Sequence, residues 1–146
     1  MVLNKDFREF IELLNQNDVK YLIVGGYAVA VHGYPRYTKD IDIWIFTDES
    51  NLKKIVKAIN DFGFKSSNIK VADLKESGTV VQLGLPPNRI DLITDVDGVD
   101  FDDCYNNKFE IISNGLKMNF IGLEHLKKNK KASGRYQDLA DLENLE

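Results

Sequence analysis

The chain is poor in the residues that make soft or imidazole metal sites. Among 146 residues there are one cysteine and two histidines, His32 and His125, far apart in sequence. Cys104 alone cannot close an intrachain disulfide, and no zinc site can be assembled from cysteines. This usage suits a reducing compartment. Long apolar runs are lacking too. The longest, near Val24 to Val31, contains Gly25 and Gly26 and falls well short of the roughly 20 residues a membrane span needs. The N-terminal MVLNKDFREF reaches acidic residues at once and carries no signal-peptide apolar region, so a cytoplasmic protein without a membrane partner is expected. There is no Gly-x-x-x-x-Gly-Lys loop of the P-loop kind. A calcium loop from Asp95 fails because Gly98 stands at the fourth position, not the sixth.

An excess of positive charge is missing as well: the net charge is -4, so the chain as a whole does not attract nucleic acid. The charge is unevenly spread, however. Asp91 to Asp103 holds six acidic residues and no basic one, whereas Lys117 to Arg135 holds six basic residues and only Glu124 as an acid. Such asymmetry suits a site taking metal on one side and polyphosphate on the other; a solvated lysine-rich helix face gives the same pattern. With 43% hydrophobic residues and ordinary charge content, residues 1–146 are expected to form one domain with a real core.

The periodicity interleaves helices and strands. Phe7, Phe10, Ile11 and Leu14 recur at helical spacing behind a candidate cap, Asn4. Val19 to Val24 reads as a strand, followed by a short helix that ends at Gly33. Asp40 to Phe46 alternates as a strand. Ser50 is expected to start a helix whose face carries Leu52, Ile55, Val56 and Ile59, ended by Gly63. Phe64-Lys65 and Ile69 to Ala72 read as short strand pieces. Thr79 to Leu83 and Arg89 to Thr94 read as further strands, and Asp95 to Asp103 as an acidic loop. Phe109 to Ile112 and Met118 to Ile121 form an expected hairpin turning at Asn114-Gly115. Two helices close the chain, Leu123 to Lys130 and 134–145, the last with Tyr136, Leu139, Leu142 and Leu145 inward and Asp138 and Asp141 on its outer side. The expected class is therefore α/β (α+β), a small mixed sheet packed with helices.

The organising stretch is YLIVGGYAVAVHGYPRYTKDIDIWIF, from Tyr21 to Phe46. Its last strand puts Asp40 and Asp42 on one face, with Ile41, Ile43 and Ile45 on the other. At a rise of roughly 3.3 Å per residue the two carboxylates stand about 7 Å apart along the backbone. Carboxylates so close repel, and a divalent metal is the simplest offset. Trp44 falls on the same face, as a wall for a nucleotide or as a packed aromatic.

Three features coincide in order: Gly25-Gly26 between strand and helix, Asp40-Ile41-Asp42 on a strand, and Asp91 on a later strand. This pattern resembles the nucleotidyltransferase superfamily typified by DNA polymerase β. The wording GGYAVAVHGYPRYTKDIDI is similar to that of small prokaryotic members, including those of toxin–antitoxin and phage-defence systems, and the tail ASGRYQDLADLENL resembles their ends. The resemblance implies the nucleotidyltransferase fold, with Asp40, Asp42 and Asp91 as catalytic metal ligands for two Mg²⁺ ions, Mn²⁺ being a possible substitute. Two such ions can hold the attacking and leaving oxygens of an in-line displacement. Asp91 is also a candidate general base. Gly25 and Gly26 would let a triphosphate approach the backbone and the following helix start. Arg36 and Lys39, on the loop entering the strand, and Arg135, with Lys130 or Lys131, are candidates for the phosphates or the acceptor. His32 reads as a helix-end residue and Thr38 as a strand start.

The implied activity is transfer of a nucleoside monophosphate from an NTP to a hydroxyl of a small molecule, a tRNA or a protein. A partner chain or a homodimer would supply further acceptor surface. The rival reading is a catalytically silent binding module that keeps the fold and acts as an antitoxin or as a toxin's partner. Phosphodiester hydrolysis at the same metal pair is a third, less suited to a triphosphate-holding glycine turn.

Overall fold

The computed structural model describes residues 3–35, 37–63, 68–85 and 87–145. Helix α1 (Lys5–Gln16) buries Phe7, Phe10, Ile11 and Leu14, the apolar stripe expected from their spacing, and the Asn4 side chain accepts from the Phe7 N–H at its start. Strand β1 (Tyr21–Val24) is buried throughout and runs straight into α2 (Gly25–Val31). Strand β2 (Ile41–Ile45) follows a loop, and α3 (Glu49–Phe62) then lies against α1, with Phe10 and Phe62 meeting edge to face at 5.4 Å. Asp48, not Ser50, caps α3: its carboxylate accepts from the Asn51 N–H, so the helix begins earlier than the sequence suggested. Gly63 ends it at φ 108°, a left-handed turn that suits glycine.

The stretch expected as strand at Ile69 to Ala72 contains instead the start of a one-turn helix, α4 (Val71–Leu74), capped by Asp73, which takes the Lys70 N–H. A helical turn closed by a local acid needs no partner strand. The other expected strand piece, Phe64-Lys65, lies outside the described residues. Next come β3 (Val80–Leu83) and β4 (Ile90–Ile93). The acidic loop then ends in a helix the periodicity did not show, α5 (Phe101–Asn106), capped by Asp100. A hairpin of β5 (Phe109–Ser113) and β6 (Leu116–Phe120) turns at Asn114-Gly115, both with positive φ, as the tight two-residue turn requires. Helices α6 (Leu123–Ser133) and α7 (Tyr136–Leu145) complete the chain.

The six strands form one mixed sheet in the order β3-β4-β2-β1-β6-β5. Strand β1 pairs antiparallel with β2 and parallel with β6, and β2 pairs parallel with β4. Ile41, Ile43 and Ile45 fill one side of β2 completely. On the other side Trp44 is buried against Phe101 of α5 at 5.0 Å, and its indole N–H donates to the Thr94 carbonyl. Trp44 is thus a packed aromatic, and the acid-bearing face of the sheet is covered beyond Asp42. No helix among the described residues is long and apolar enough to cross a membrane.

Helix α7 departs from the sequence expectation over its first half: Leu142 and Leu145 are half-buried, Leu145 against the core. Tyr136 and Leu139 are exposed, whereas Asp138 and Asp141 are buried. Lys130 of α6, also buried, explains it: its ammonium lies 2.9 Å from Asp138 and 3.2 Å from Asp141. Ser133 and Arg135 also donate to Asp138. A lysine inside needs buried acids to pair with, and that demand turns Asp138 and Asp141 inward and leaves Tyr136 and Leu139 outside.

Two outcomes check this anchor. Lys130→Met, which leaves both acids buried and unpaired with lysine, is expected to lower unfolding stability by about 3 kcal/mol in urea melts. Burial works to raise the Asp138 pKa, but hydrogen bonds from Ser133, Arg135 and Lys130 outweigh it and hold the group down at about 2, from an ordinary 3.8. A depressed carboxyl contributes stability above its unfolded pKa, so this contribution is retained above about pH 4 and lost as pH falls toward 2. An Asp138→Asn variant should lose that acid-side slope.

Candidate active site

The parallel register of β2 and β4 sets Asp42 directly beside Asp91. Neighbouring strands lie about 4.8 Å apart, so both side chains leave the same face as close neighbours. Asp40 stands just ahead of β2, two residues before Asp42 and therefore on the same side. Three carboxylates separated by up to 51 positions in the chain share one strip of sheet. A residue that sequence reasoning did not single out joins them. The Arg89 guanidinium donates to Asp40 Oδ2 at 2.7 Å and to both oxygens of Asp91, at 2.8 and 3.1 Å. Its signal was present: Arg89 shares Asp91's strand face at a spacing of two.

Arg89 does not grip Asp42. Burial raises the Asp42 carboxyl to about 6, helped by the negative charges of Asp91 and Asp40 and only partly offset by Lys130 and Arg89. Asp40 Oδ1 is buried and has no hydrogen-bond partner among the described residues. The cluster therefore has an unmet demand for positive charge at Asp42 and at the free oxygen of Asp40. Among the described residues no three Asp, Glu, His or Cys side chains are gathered as a ready-made metal cage. Arg89 instead engages both oxygens of Asp91 and one of Asp40. The open oxygens are nevertheless hard donors of the kind Mg²⁺ prefers, and each Arg89-bound oxygen keeps a further lone pair.

Gly25 explains why β1 turns on a glycine here. It sits opposite the strand that carries Asp42 and adopts φ +66°, and a Cβ on it would lie 2.2 Å from Asp42 Oδ2. The missing side chain thus makes room for the carboxylate itself. Gly26 follows in the first turn of α2.

Asp42 and Gly25 open on a cavity of about 140 Å³ whose far side is formed by Lys130, Ser133 and Arg135. Lys130 and Arg135 are both tied to Asp138, so two cations face the acid cluster from a fixed frame. A larger cavity of about 390 Å³ lies beside Lys20 and Asn119, at the opposite end of β1 from Gly25. Asp42, not volume, marks the smaller one, which Asp95 and Asp97 also line. Of the residues singled out in the sequence, Gly25, Asp42, Lys130 and Arg135 line this cavity, while Asp91 stands beside Asp42 on the sheet and Asp40 two residues before it. Lys39 is exposed beside Asp40 with no ion pair among the described residues, and Arg36 lies outside them. His32 caps the end of α2, its Nε2 2.7 Å from the Ile121 carbonyl.

The mixed sheet, the glycine corner and the acids on β2 and β4 define a nucleotidyltransferase fold, and solved structures agree. The chain superposes on a candidate nucleotidyltransferase, TM1012 from Thermotoga maritima, with a TM-score of 0.64, 18% identity, and 94% of this chain and 88% of that one covered. It superposes on the lincosamide antibiotic adenylyltransferase LnuA, solved with lincomycin, with a TM-score of 0.57, 17% identity, and 99% and 96% covered. An antigenic nucleotidyltransferase-like protein from Paracoccidioides brasiliensis gives 0.56, 19%, 98% and 77%. Residues 3–146 match the model of one family, and the chain belongs to it: nucleotidyltransferase of unknown function (DUF6036). No curated protein matches the sequence significantly.

The raised Asp42 carboxyl has a stability consequence. The folded state holds this proton up to about pH 6 and the unfolded state only to about 3.8, so the group's favourable contribution is complete below 3.8 and lost as pH rises through 6. In metal-free buffer at pH 8, Asp42→Asn is expected to be more stable than the wild type by about 2 kcal/mol, with no difference of this kind at pH 3.5. Thermal melts at the two pH values check it.

Proposed function

We propose that the chain transfers a nucleoside monophosphate from a nucleoside triphosphate to a hydroxyl acceptor, with Mg²⁺, or Mn²⁺ in its place. The observation that carries this reading is the placement of Asp42 beside Asp91, with Asp40 Oδ1 unpaired, against a glycine corner that leaves the Asp42 carboxylate free. Asp42 and Asp40 Oδ1 would hold the metal, with Asp91 adjoining. When bound, Mg²⁺ polarises the phosphoryl oxygen and favours the alkoxide form of the attacking hydroxyl.

The chain's own residues supply the rest. Lys130 and Arg135 offer positive charge to the phosphates from across the cavity, and Lys39 lies on the approach. Asp91, oriented through both oxygens by Arg89, accepts the proton of the attacking hydroxyl. The new O–P bond forms as the bond to pyrophosphate breaks, and pyrophosphate leaves with the electron pair. The cavity is too small to enclose a whole nucleotide, so base and sugar lie toward its open side. LnuA is an adenylyltransferase solved with lincomycin. It supports ATP as the first donor to assay and hydroxyl-bearing small molecules as the first acceptors, with tRNAs and the protein itself alongside.

Calorimetry with each of the four NTPs and Mg²⁺ tests the binding half. Heat of binding is expected for at least one NTP and should vanish with EDTA and in Asp42→Asn. Binding unchanged by both would remove the metal from the reading. Pyrophosphate release with an acceptor panel tests turnover, and Asp91→Asn should reduce it at least about 100-fold. Metal-dependent NTP binding with no release for any acceptor would favour the silent binding module.

A further inference from the structure

Three carboxylates at one spot carry three negative charges, and two full divalent ions would exceed them. In this chain part of the compensation is covalently built in. Arg89 is only about a quarter exposed, fixed by three hydrogen bonds, and occupies both oxygens of Asp91 and the outer oxygen of Asp40. What it leaves without a hydrogen-bond partner among the described residues is the Asp42 carboxylate and Asp40 Oδ1, the latter buried. The guanidinium reaches both carboxylates at once and brings the positive charge that offsets them.

We propose that Arg89 stands in for one of the two cations expected at such a site. The nucleotide-free protein then takes a single divalent ion, at Asp42 and Asp40 Oδ1. Lys130 and Arg135 are already matched by Asp138 and Asp141, so one dication and one guanidinium balance the three acids. A second dication leaves the site with surplus positive charge until a triphosphate arrives with its own negative charge. Arg89 is therefore a positioning residue: it holds Asp91 in place and keeps the second metal position closed until nucleotide is present. This inference rests on the metal-dependent reading above.

Mn²⁺ titration followed by electron paramagnetic resonance, on the full chain without nucleotide at pH 8, tests it without reference to activity. The wild type is expected to bind one Mn²⁺ per chain and Arg89→Gln two, because the freed Asp91 and Asp40 oxygens become ligands. Arg89→Lys keeps the charge and is expected to remain at one; Arg89→Met is the second neutral variant, with two ions expected, should Arg89→Gln fail to fold. Two ions of similar affinity in the wild type overturn the role of Arg89 and leave the metal reading standing. So does a stoichiometry of one in a folded Arg89→Gln or Arg89→Met protein, or of two in Arg89→Lys. No bound Mn²⁺ in the wild type overturns the metal reading itself, and this inference with it.

Discussion

Mutual repulsion among Asp40, Asp42 and Asp91 is the constraint to which the surrounding structure answers. The register of two parallel strands forces Asp42 and Asp91 together, and the alternation of β2 adds Asp40. Each neighbouring feature relieves part of the resulting charge. Arg89 bridges two of the acids, Lys130 faces the third across the cavity, and the bare Gly25 gives that third carboxylate space to sit without a partner. The part left unrelieved, at Asp42 and one oxygen of Asp40, is where an external cation has most to offer. Chemistry and instability thus have the same origin, as is common where a site departs from the rules that stabilise the rest of a fold.

The frame around this strip is correspondingly rigid. Trp44, one strand position pair beyond Asp42 on the same face, is sealed by Phe101, so β2 is covered beyond the acids. At the other end of β2, buried Asn51 binds the Lys20 and Phe46 carbonyls and the Lys20 N–H, joining α3 to both strands that carry the glycine corner and the acid pair. The acids are presented from strands with buried neighbours on both sides, which is the arrangement that keeps side-chain geometry fixed.

Much of this could be read along the chain. Period-two alternation in DIDIWIF places Asp40 and Asp42 together without any knowledge of the fold, and the helical stripe from Phe7 to Leu14 is equally direct. Family-like wording then linked Asp91 to them across 49 positions, which no local pattern can do. The partners of charges were harder to see. Arg89 looked like one more residue of an alternating strand, because its second contact, Asp40, is distant in sequence. In α7 the leucines and Tyr136 gave a plausible inward stripe, yet buried Lys130 demanded Asp138 and Asp141 instead. An apolar pattern competes with an ion pair only once both helices are in place, so the winner is decided by tertiary contact rather than by periodicity. Helix α5 was hidden for a similar reason: its six residues are too few for a period to show, and its cap, Asp100, sat unremarked in an acidic run.

The tether between α6 and α7 bears on how an anion would depart. Lys130 and Arg135 both rest on Asp138 before any ligand arrives. On the proposed function, an incoming phosphate would share these cations with an internal carboxylate and would not meet them bare. On its departure neither side chain would be stranded without a counter-ion, because the resting partner stays within reach. Such sharing would weaken the grip on a polyanion and ease discharge of a product: the same carboxylate that locks the last helix in place would act as a berth to which the cations return.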